Sequence, residues 1–312
     1  MLPRLVSGAL LLLGILGGTV SNSSPSTAPA ERGGYTVVEA DFHAHSHAGD
    51  GLLSPFGVVL FAQRKGLHAI AVTDHNQIYG AQAAQWFSGL IGGPTVIVGE
   101  EITAPDYHLI GLGLTNRVAW NQSLAETLTE IHRQGGVAIA AHPRQKHEPV
   151  FAPAIRDLDG SEVLHASAHT NVQRAAEMRN FYNRAKASNP GLIAVGSSDY
   201  HWFNSLGLFR TYVFVRNNAP DEILEALHNG RTVVYDLEGN TFGDSELIRL
   251  LQEQPIKHGS VDYSYAASST IDAFTRTCGW LGLAGLLLFG PGNKKEKNLW
   301  STPDQVYNAP QK

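Results

Sequence analysis

Cysteine is almost missing from this chain of 312 residues, in which Cys278 is the one thiol. A single cysteine excludes a disulfide framework and any zinc site built from cysteine pairs. Positive charge is also scarce, since 23 lysines and arginines stand against 28 acidic residues, for a formal net charge of -5. Without a basic surplus a broad nucleic-acid surface is disfavoured, and we expect no nucleic acid among the partners.

The sequence also lacks the short motifs of several hydrolase classes. It contains no G-x-S-x-G elbow, no H-E-x-x-H pair and no phosphate-binding P-loop, which disfavours the enzymes built on those motifs. What the chain does have is an apolar content of 43% and 14 histidines. The apolar content excludes wholesale disorder. Histidine is the commonest transition-metal ligand, so the placement of these residues decides what they mean.

The amino-terminal segment has the pattern of an export signal. Arg4 precedes an uncharged stretch over residues 5–20, and a Pro- and Ser-rich segment follows. This order is typical of a signal peptide, with an uncleaved anchor as the alternative. We therefore expect residues 1–34 to be a signal or anchor plus linker. We also expect the protein to be exported to an extracytoplasmic, periplasmic location.

A second apolar run lies in the carboxy-terminal tail, residues 256–312. Residues 278–290 are uncharged and are followed by a lysine-rich stretch. The run is shorter than the ~20 residues that usually span a bilayer, but the lysines suit a cytoplasmic flank. Two interpretations stay open: a membrane helix, which would attach the protein through one or both ends, and a packed or peripheral helix.

Between about residues 35 and 255, short apolar runs alternate with helical patterns. The runs are YTVVEADFHAH, HAIAVTD, PTVIVG, GVAIAA and GLIAVGS. Ser54 and Pro55 begin one helix, and Ser123 with Glu126 forms the capping box of another. Near-continuous apolar strands separated by helices predict a parallel sheet covered on both faces. We therefore expect residues 35–255 to form one α/β, barrel-like domain.

Metal-binding residue types follow these strands. His43 and His45 alternate in an extended segment, so both project from one face and can hold one ion. Later segments add further candidates, which are Asp50, Asp74, His75, Asn76, Glu100, Glu101, His108, His142, Asp199 and His201. In α/β barrels the carboxyl ends of the strands form the active-site face. The sequence therefore predicts a metal site at that face.

The ordered motifs resemble those of a known family. DFHAHSHAGDG, AVTDHN, GEEIT, HLIGLG, AAHP and SSDYH, spread over about residues 38–236, are similar to the PHP (polymerase and histidinol phosphatase) family. Exported metallohydrolases of that family look most similar. The resemblance implies a distorted (β/α)7, TIM-like barrel, the PHP fold, with up to three metal ions.

The resemblance also implies a division of nine ligands. The groups are His43, His45, Glu101 and Asp199 for a first ion, Glu101, His108 and His142 for a second, and Asp50, His75 and His201 for a third. Glu100 stays an alternative to Glu101 as the bridging ligand. Imidazole and carboxylate ligands suit manganese, iron or zinc, so we expect two to three divalent ions as cofactors.

Residues around the motifs receive supporting roles. We expect Asp41 and Asp74 to orient imidazoles by accepting a hydrogen bond from the second ring nitrogen. Three further histidines have no matched role and are expected at the surface or rim: His47, His165 and His169.

Together these features predict a metal-dependent hydrolase. Closely spaced cations activate a water and polarise the substrate oxygen, and the most favoured substrate is a small phosphoester. His142, His201 and Asp199 are the candidate catalytic residues.

Arginines outside the motifs could bind a phosphate group of the substrate. Arg144 is the candidate phosphate-binding residue because it follows the His142 motif. Arg174, Arg179 and Arg184 are expected to be surface charges.

Two alternatives to phosphoester hydrolysis remain. One is a hydrolase of carboxylic or carbamate esters. The other is a non-catalytic metal-binding module of the cell envelope, which the complete set of ligands disfavours.

Overall fold

The computed structural model describes residues 2–22, 28–165, 171–202, 206–236, 238–256 and 270–289. His169 and residue 290 lie outside the described residues. The chain divides into two compact units, one of residues 22–266 and one that combines residues 1–21 with 267–312.

The larger unit alternates strands and helices, as the apolar runs predicted. Its described strands are β1 (Ala30–Arg32), β2 (Tyr35–Asp41), β3 (Ala69–Val72), β4 (Thr95–Thr103), β5 (His108–Leu112), β6 (Val137–Ala140), β7 (Gly160–Leu164), β8 (Ile193–Gly196), β9 (Thr211–Val215), β10 (Thr232–Tyr235) and β11 (Thr241–Gly243).

Seven described helices connect or follow these strands. They are α2 (Pro55–Arg64), α3 (Tyr79–Ile91), α4 (Leu124–Arg133), α5 (Glu148–Phe151), α6 (Val172–Ser188), α7 (Pro220–His228) and α8 (Ser245–Glu253). Ser54 caps α2 by accepting a hydrogen bond from the backbone N–H of Gly57. Ser123 and Glu126 form the predicted capping box of α4, so local sequence signals set both helix starts.

The strands form one mixed sheet in the order β11-β10-β9-β2-β3-β4-β5-β6-β7-β8, with β1 paired to β2. The ends of the sheet approach each other. The Thr232 hydroxyl in β10 donates to the carbonyl of Ala194 in β8 at 3.0 Å. The backbone N–H of Gly196 in β8 donates to the Thr211 hydroxyl in β9 at 3.0 Å. The sheet is therefore a nearly closed barrel, and the expected distorted TIM-like fold class is confirmed.

The expectation of a fully parallel sheet was wrong in part. Pairs β2–β3, β3–β4, β6–β7 and β7–β8 are parallel. Strand β5 is antiparallel to β4 and β6, and β9 is antiparallel to β2 and β10. The four residues between β4 and β5 are too few for a crossover, which needs a dozen or more, and allow only a hairpin.

Two apolar layers hold the barrel. One cluster fills the side of the sheet that includes Val38, Ile97, Ile139 and Val195, and α7 packs Ile223 against it. The other cluster forms the outer layer: its buried side chains lie between the sheet and helices α2 to α6. These two layers fix the strands, and with them the positions of the polar residues at the strand ends.

The described part of the smaller unit is formed by α1 (Leu2–Asn22), except its last residue, and by α9 (Thr270–Phe289). The two helices approach through glycines: a Cβ atom at Gly14 would lie 2.4 Å from the Cα of Gly279, and one at Gly282 would lie 2.3 Å from the backbone nitrogen of Leu11. Over the described residues, no helix is long and apolar enough to span a bilayer.

Candidate metal centre

All nine predicted ligands meet at one end of the barrel. His43 and His45 follow β2, His75 follows β3 and His142 follows β6, each just beyond the strand's carboxyl end. Strand β5 runs in the opposite direction, so His108 at its amino end reaches the same edge. The hairpin therefore adds a ligand that a purely parallel barrel would place at the far end.

The Glu101 carboxylate lies at the middle of the cluster and is buried. One oxygen, Oε1, is 2.7 Å from His108 Nδ1 and 3.0 Å from His142 Nε2. The other, Oε2, lies 2.9–3.3 Å from nitrogens of three more histidines: His43, His45 and His75. Five imidazoles thus surround one carboxylate, which is the arrangement expected of a ligand shared between ions.

Glu100 points to the other face of β4. Its Oε2 accepts a hydrogen bond from the backbone N–H of Val118 at 2.9 Å, and burial raises the pKa of Glu100 to about 7. Because side chains alternate along a strand, only one of the two neighbouring glutamates can face the histidines. The geometry selects Glu101 over Glu100.

Three overlapping groups of side chains have ligand atoms within 4.8 Å of one another. They are His45, Asp50, His75 and His201; His43, His45 and Asp199; and His43, Glu101 and His142. His45 joins the expected third group, and His108 lies outside these groups against Glu101. Among the described residues, the buried atoms His45 Nδ1 and Glu101 Oε2 form no hydrogen bond of good geometry, although Oε2 lies close to three imidazole nitrogens. Buried imidazole and carboxylate atoms left unpaired at the centre fit divalent metal ions.

The charges of the cluster are strongly coupled. Burial disfavours the charged forms, but Asp199, Glu162 and Glu101 raise the pKa of His43 well above its usual range. Hydrogen bonds to Asp199 and Glu101 raise the pKa of His45 to about 9 in spite of its burial. The charge of His43 in turn lowers the pKa of Glu101 and of Asp199. Imidazolium ions thus compensate the buried carboxylates when no cation does.

Backbone strain is concentrated at the same strand ends. Asn76, His142 and Asp199 have φ angles of 53°, 29° and 48°, and the structure has no other described non-glycine residues with positive φ. Such conformations are costly for L-residues and persist where the surroundings impose them. At His142 and Asp199 this backbone conformation directs a candidate ligand side chain into the centre.

Glu162 in β7 is a functional residue that the sequence reasoning missed. Its Oε1 lies 2.9 Å from His43 Nδ1, and its Oε2 accepts a hydrogen bond from the backbone N–H of His142 at 2.5 Å. The Ser197 hydroxyl also donates to it. A carboxylate in the middle of the apolar strand GSEVL was the available signal. Glu162 fixes the ring of His43 and leaves Nε2 facing the centre.

Asp41 and Asp74 do not orient imidazoles, contrary to the expectation. Asp41 accepts hydrogen bonds from the backbone N–H groups of His43, Ser198 and Gly207. Asp74 accepts from the backbone and hydroxyl of Ser46, at 2.5 and 2.6 Å. Both carboxylates therefore hold the loops that carry ligands rather than the ligand rings.

The histidines without a matched role differ from one another. His47 is exposed, as expected. His165 is only 5% exposed, which corrects its expected rim position. It directly follows β7, so it lies at the ligand-bearing end, with its Nδ1 4.0 Å from Asp199 Oδ2 and its ring centroid 5.2 Å from that of His142. Burial lowers the pKa of His165 to about 4.

The pKa directions predict that metal binding releases protons. The raised pKa values of His43 and His45 mean that this histidine pair holds at least one added proton in the metal-free protein at pH 7, and a metal ligand must be deprotonated. Calorimetric titration with Mn²⁺ or Zn²⁺ in buffers of different ionisation enthalpy is expected to show release of at least one proton per chain. The apparent affinity is expected to rise as the pH increases towards 9. Binding without proton release at pH 7 would contradict this account.

The contacts of Glu162 predict a role in metal affinity. Glu162→Gln removes the negative charge opposite His43 Nδ1, and the affinity for Zn²⁺ is expected to fall by about 10- to 100-fold. The measurement is competition with a chromophoric chelator, with folding checked by circular dichroism.

Glu100→Gln is the matched control for Glu162→Gln. It replaces a buried carboxylate that points to the face of β4 opposite the histidines. The new amide oxygen can still accept the hydrogen bond from the backbone N–H of Val118. Equal affinities of the two variants would show that Glu162 does not act through His43.

Known proteins resemble this chain in sequence and in fold. No protein-family model matches it. It is 32% identical over 142 residues to an uncharacterized protein of Methanocaldococcus jannaschii, covering 41% of this chain and 82% of that protein. It is 29% identical over 155 residues to a 5'-3' exoribonuclease of Haemophilus influenzae, covering 48% of this chain and 53% of that enzyme. The chain thus spans about half the length of the exoribonuclease.

A solved structure supports the fold. It is a two-domain protein of Bacteroides vulgatus described as containing a predicted PHP-like metal-dependent phosphoesterase, with a TM-score of 0.60, 23% identity and coverage of 74% of each chain. The chain therefore has the PHP-like fold that its motifs predicted and belongs to the same family as the Methanocaldococcus jannaschii protein.

Proposed function

We propose that the larger unit is a metal-dependent phosphoesterase that acts on a small phosphorylated molecule. The observation that carries this proposal is the set of three overlapping imidazole and carboxylate groups around Glu101. A structural metal site is usually closed and uses four ligands. Eight side chains in overlapping groups, with His108 against Glu101 and several of them open to solvent, instead suit a catalytic centre.

The side chains of the centre divide into an enclosed and an open part. His43, His45 and Glu101 are buried, whereas His201 is 26% exposed and Asp50 54% exposed. Divalent cations held there would supply an activated water and would offset charge that develops on the substrate oxygen. Substrate therefore approaches from the side of Asp50 and His201.

The candidate catalytic side chains lie between these two parts. His142 is 15% exposed and His201 26% exposed, so either ring can reach a leaving group at the open side. The Asp199 Oδ1 atom lies 3.5 Å from His201 Nδ1 and 3.3 Å from His43 Nε2. In the proposed reaction, Asp199 orients the rings of His43 and His201, and whichever of His142 and His201 is not bound to a metal ion protonates the leaving oxygen.

Two observations favour a phosphoester over a carboxylic or carbamate ester. Arg144 lies two residues after His142, lines a cavity and forms no ion pair among the described residues. The names of the exoribonuclease and of the Bacteroides protein both refer to phosphoester chemistry. Because this chain carries no basic surplus, we propose a small molecule rather than a nucleic-acid strand.

Activity of the centre can be tested with a double variant. His43→Ala with His45→Ala removes two buried ligands, and hydrolysis of phosphomonoesters by the metal-loaded protein is expected to fall at least about 1,000-fold. The assay measures phosphate release over a panel that also contains phosphodiesters and carboxylic and carbamate esters.

His228→Ala is the control for the double variant, because His228 is a partly exposed histidine at the end of α7, outside the candidate ligands. Its activity is expected to match that of the unchanged protein. Hydrolysis of carboxylic or carbamate esters without phosphate release would favour the alternative enzyme class. Inertness towards the whole panel would favour the non-catalytic metal-binding module.

We also propose that the protein is exported, on the pattern of residues 1–34 alone. Fusion of these residues to a phosphatase reporter that is active only outside the cytoplasm is expected to give activity. An Arg inserted in place of Leu12 is expected to abolish it. A fusion that stays inactive would contradict export.

A further inference from the structure

A cavity of about 590 Å³ lies beside the loop that follows the His142 motif. Arg144 and Lys146 line it from this loop, and Asn171, Arg174 and Glu177 line it from the start of α6. None of the five belongs to the nine ligands. The cavity is therefore a separate feature of the surface next to the metal centre.

The cavity carries more positive than negative charge. Among the described residues, Arg144, Lys146 and Arg174 form no ion pair, as is also true of other arginines such as Arg117 and Arg216, whereas six further arginines each pair with a carboxylate. These six are Arg133, Arg179, Arg184, Arg210, Arg231 and Arg249. With three cations and the single carboxylate of Glu177, the cavity carries an excess of two positive charges. Arg174 thus differs from Arg179 and Arg184, although all three were expected to be plain surface charges.

The backbone of α6 adds to this positive charge. Asn171 caps the helix by accepting a hydrogen bond from the backbone N–H of Arg174, and the 17-residue helix begins at the cavity. The first turn of a helix carries partial positive charge and unpaired N–H groups. A second cavity, of about 490 Å³, is lined by Arg117 together with Glu126 and Glu130 and has no such excess. Of these two cavities, the first is the one suited to an anion.

Contacts hold the cavity next to the metal centre. The backbone N–H of Arg144 donates to His147 Nδ1 at 3.4 Å, and the His147 ring lies nearly parallel to the ring of His108, with centroids 6.5 Å apart. Glu148, which follows this loop, forms an ion pair with Arg184 of α6 and so joins the two walls. These contacts fix the backbone segment that carries Arg144 and Lys146 next to α6 before any ligand binds.

We infer that this cavity binds a second phosphate group of the substrate, distinct from the phosphate that is hydrolysed. The inference rests on the proposed phosphoesterase function and narrows its substrate class to small bisphosphorylated molecules. Guanidinium groups offer forked donors that match phosphate oxygens, and the lysine adds a point charge. One phosphate then lies at the metal centre and the other beside Arg174.

Binding can be measured without hydrolysis. Isothermal titration of the metal-free protein with inorganic phosphate is expected to show one site per chain that weakens with added salt. The double variant Lys146→Gln with Arg174→Gln is expected to weaken binding at least about tenfold. Arg216→Gln removes one charge from an exposed position outside the cavity and is expected to change little.

Steady-state kinetics provide the second test of the inference. Bisphosphates of straight-chain diols with two to six carbons are compared with the matching monophosphates on the manganese-loaded protein. For at least one chain length, kcat/KM is expected to favour the bisphosphate about tenfold, mainly through KM. The double variant is expected to lose this preference and Arg216→Gln to keep it.

The outcomes separate the two proposals. The inference of a second phosphate site is wrong in either of two cases. In the first, phosphoesters are hydrolysed but bisphosphates are not preferred. In the second, the double variant binds inorganic phosphate as tightly as the unchanged protein. If the variant loses phosphate binding while no phosphoester is hydrolysed by the unchanged protein, the anion site stands and the phosphoesterase function is wrong.

Discussion

The burial of the Glu101 carboxylate is the constraint on which the rest of the centre depends. A buried, unpaired carboxylate is very costly, so it has to be surrounded by positive charge. The protein meets this requirement with five imidazoles, which come from the segments after β2, β3 and β6 and from the start of β5. In the metal-free state some of these rings carry protons, and in the metal-bound state the cations replace them. The same arrangement therefore satisfies folding and metal binding.

A further shell of carboxylates holds this cluster in place. Glu162 binds the ring of His43 and the backbone of His142, and Asp41 joins the segment after β2 to the segments after β8. These contacts link strands that are far apart in the chain. They also explain how His142 and Asp199 keep left-handed backbone conformations, since the surrounding hydrogen bonds fix the segments that carry them.

The sequence predicted the fold class, and the candidate ligands that its motifs singled out lie together in the structure, because both leave a local pattern. Alternation placed His43 and His45 on one face, and apolar runs located the strands whose ends carry His75 and His142. The roles of Asp41, Asp74 and Glu162 could not be read in this way, because a hydrogen bond between distant strands leaves no periodic trace. The burial of His165 was missed for the same reason: β7 carried no recognised motif, so its position at the ligand-bearing end was not apparent.

Electrostatics then connects the centre to its substrate. Asp50, Glu101 and Asp199 together place three carboxylates at the mouth and floor of the site, and their field repels an anionic substrate unless cations offset it. Metal ions would offset this repulsion at the scissile phosphate, but their electrostatic effect decreases with distance and is screened by salt. A substrate with another anionic group needs positive charge farther out. Arg144, Lys146 and Arg174 lie together in the cavity beside the centre and can supply it. The overall charge of -5 is therefore a poor guide to the substrate, because the cavity beside the centre has an excess of positive charge.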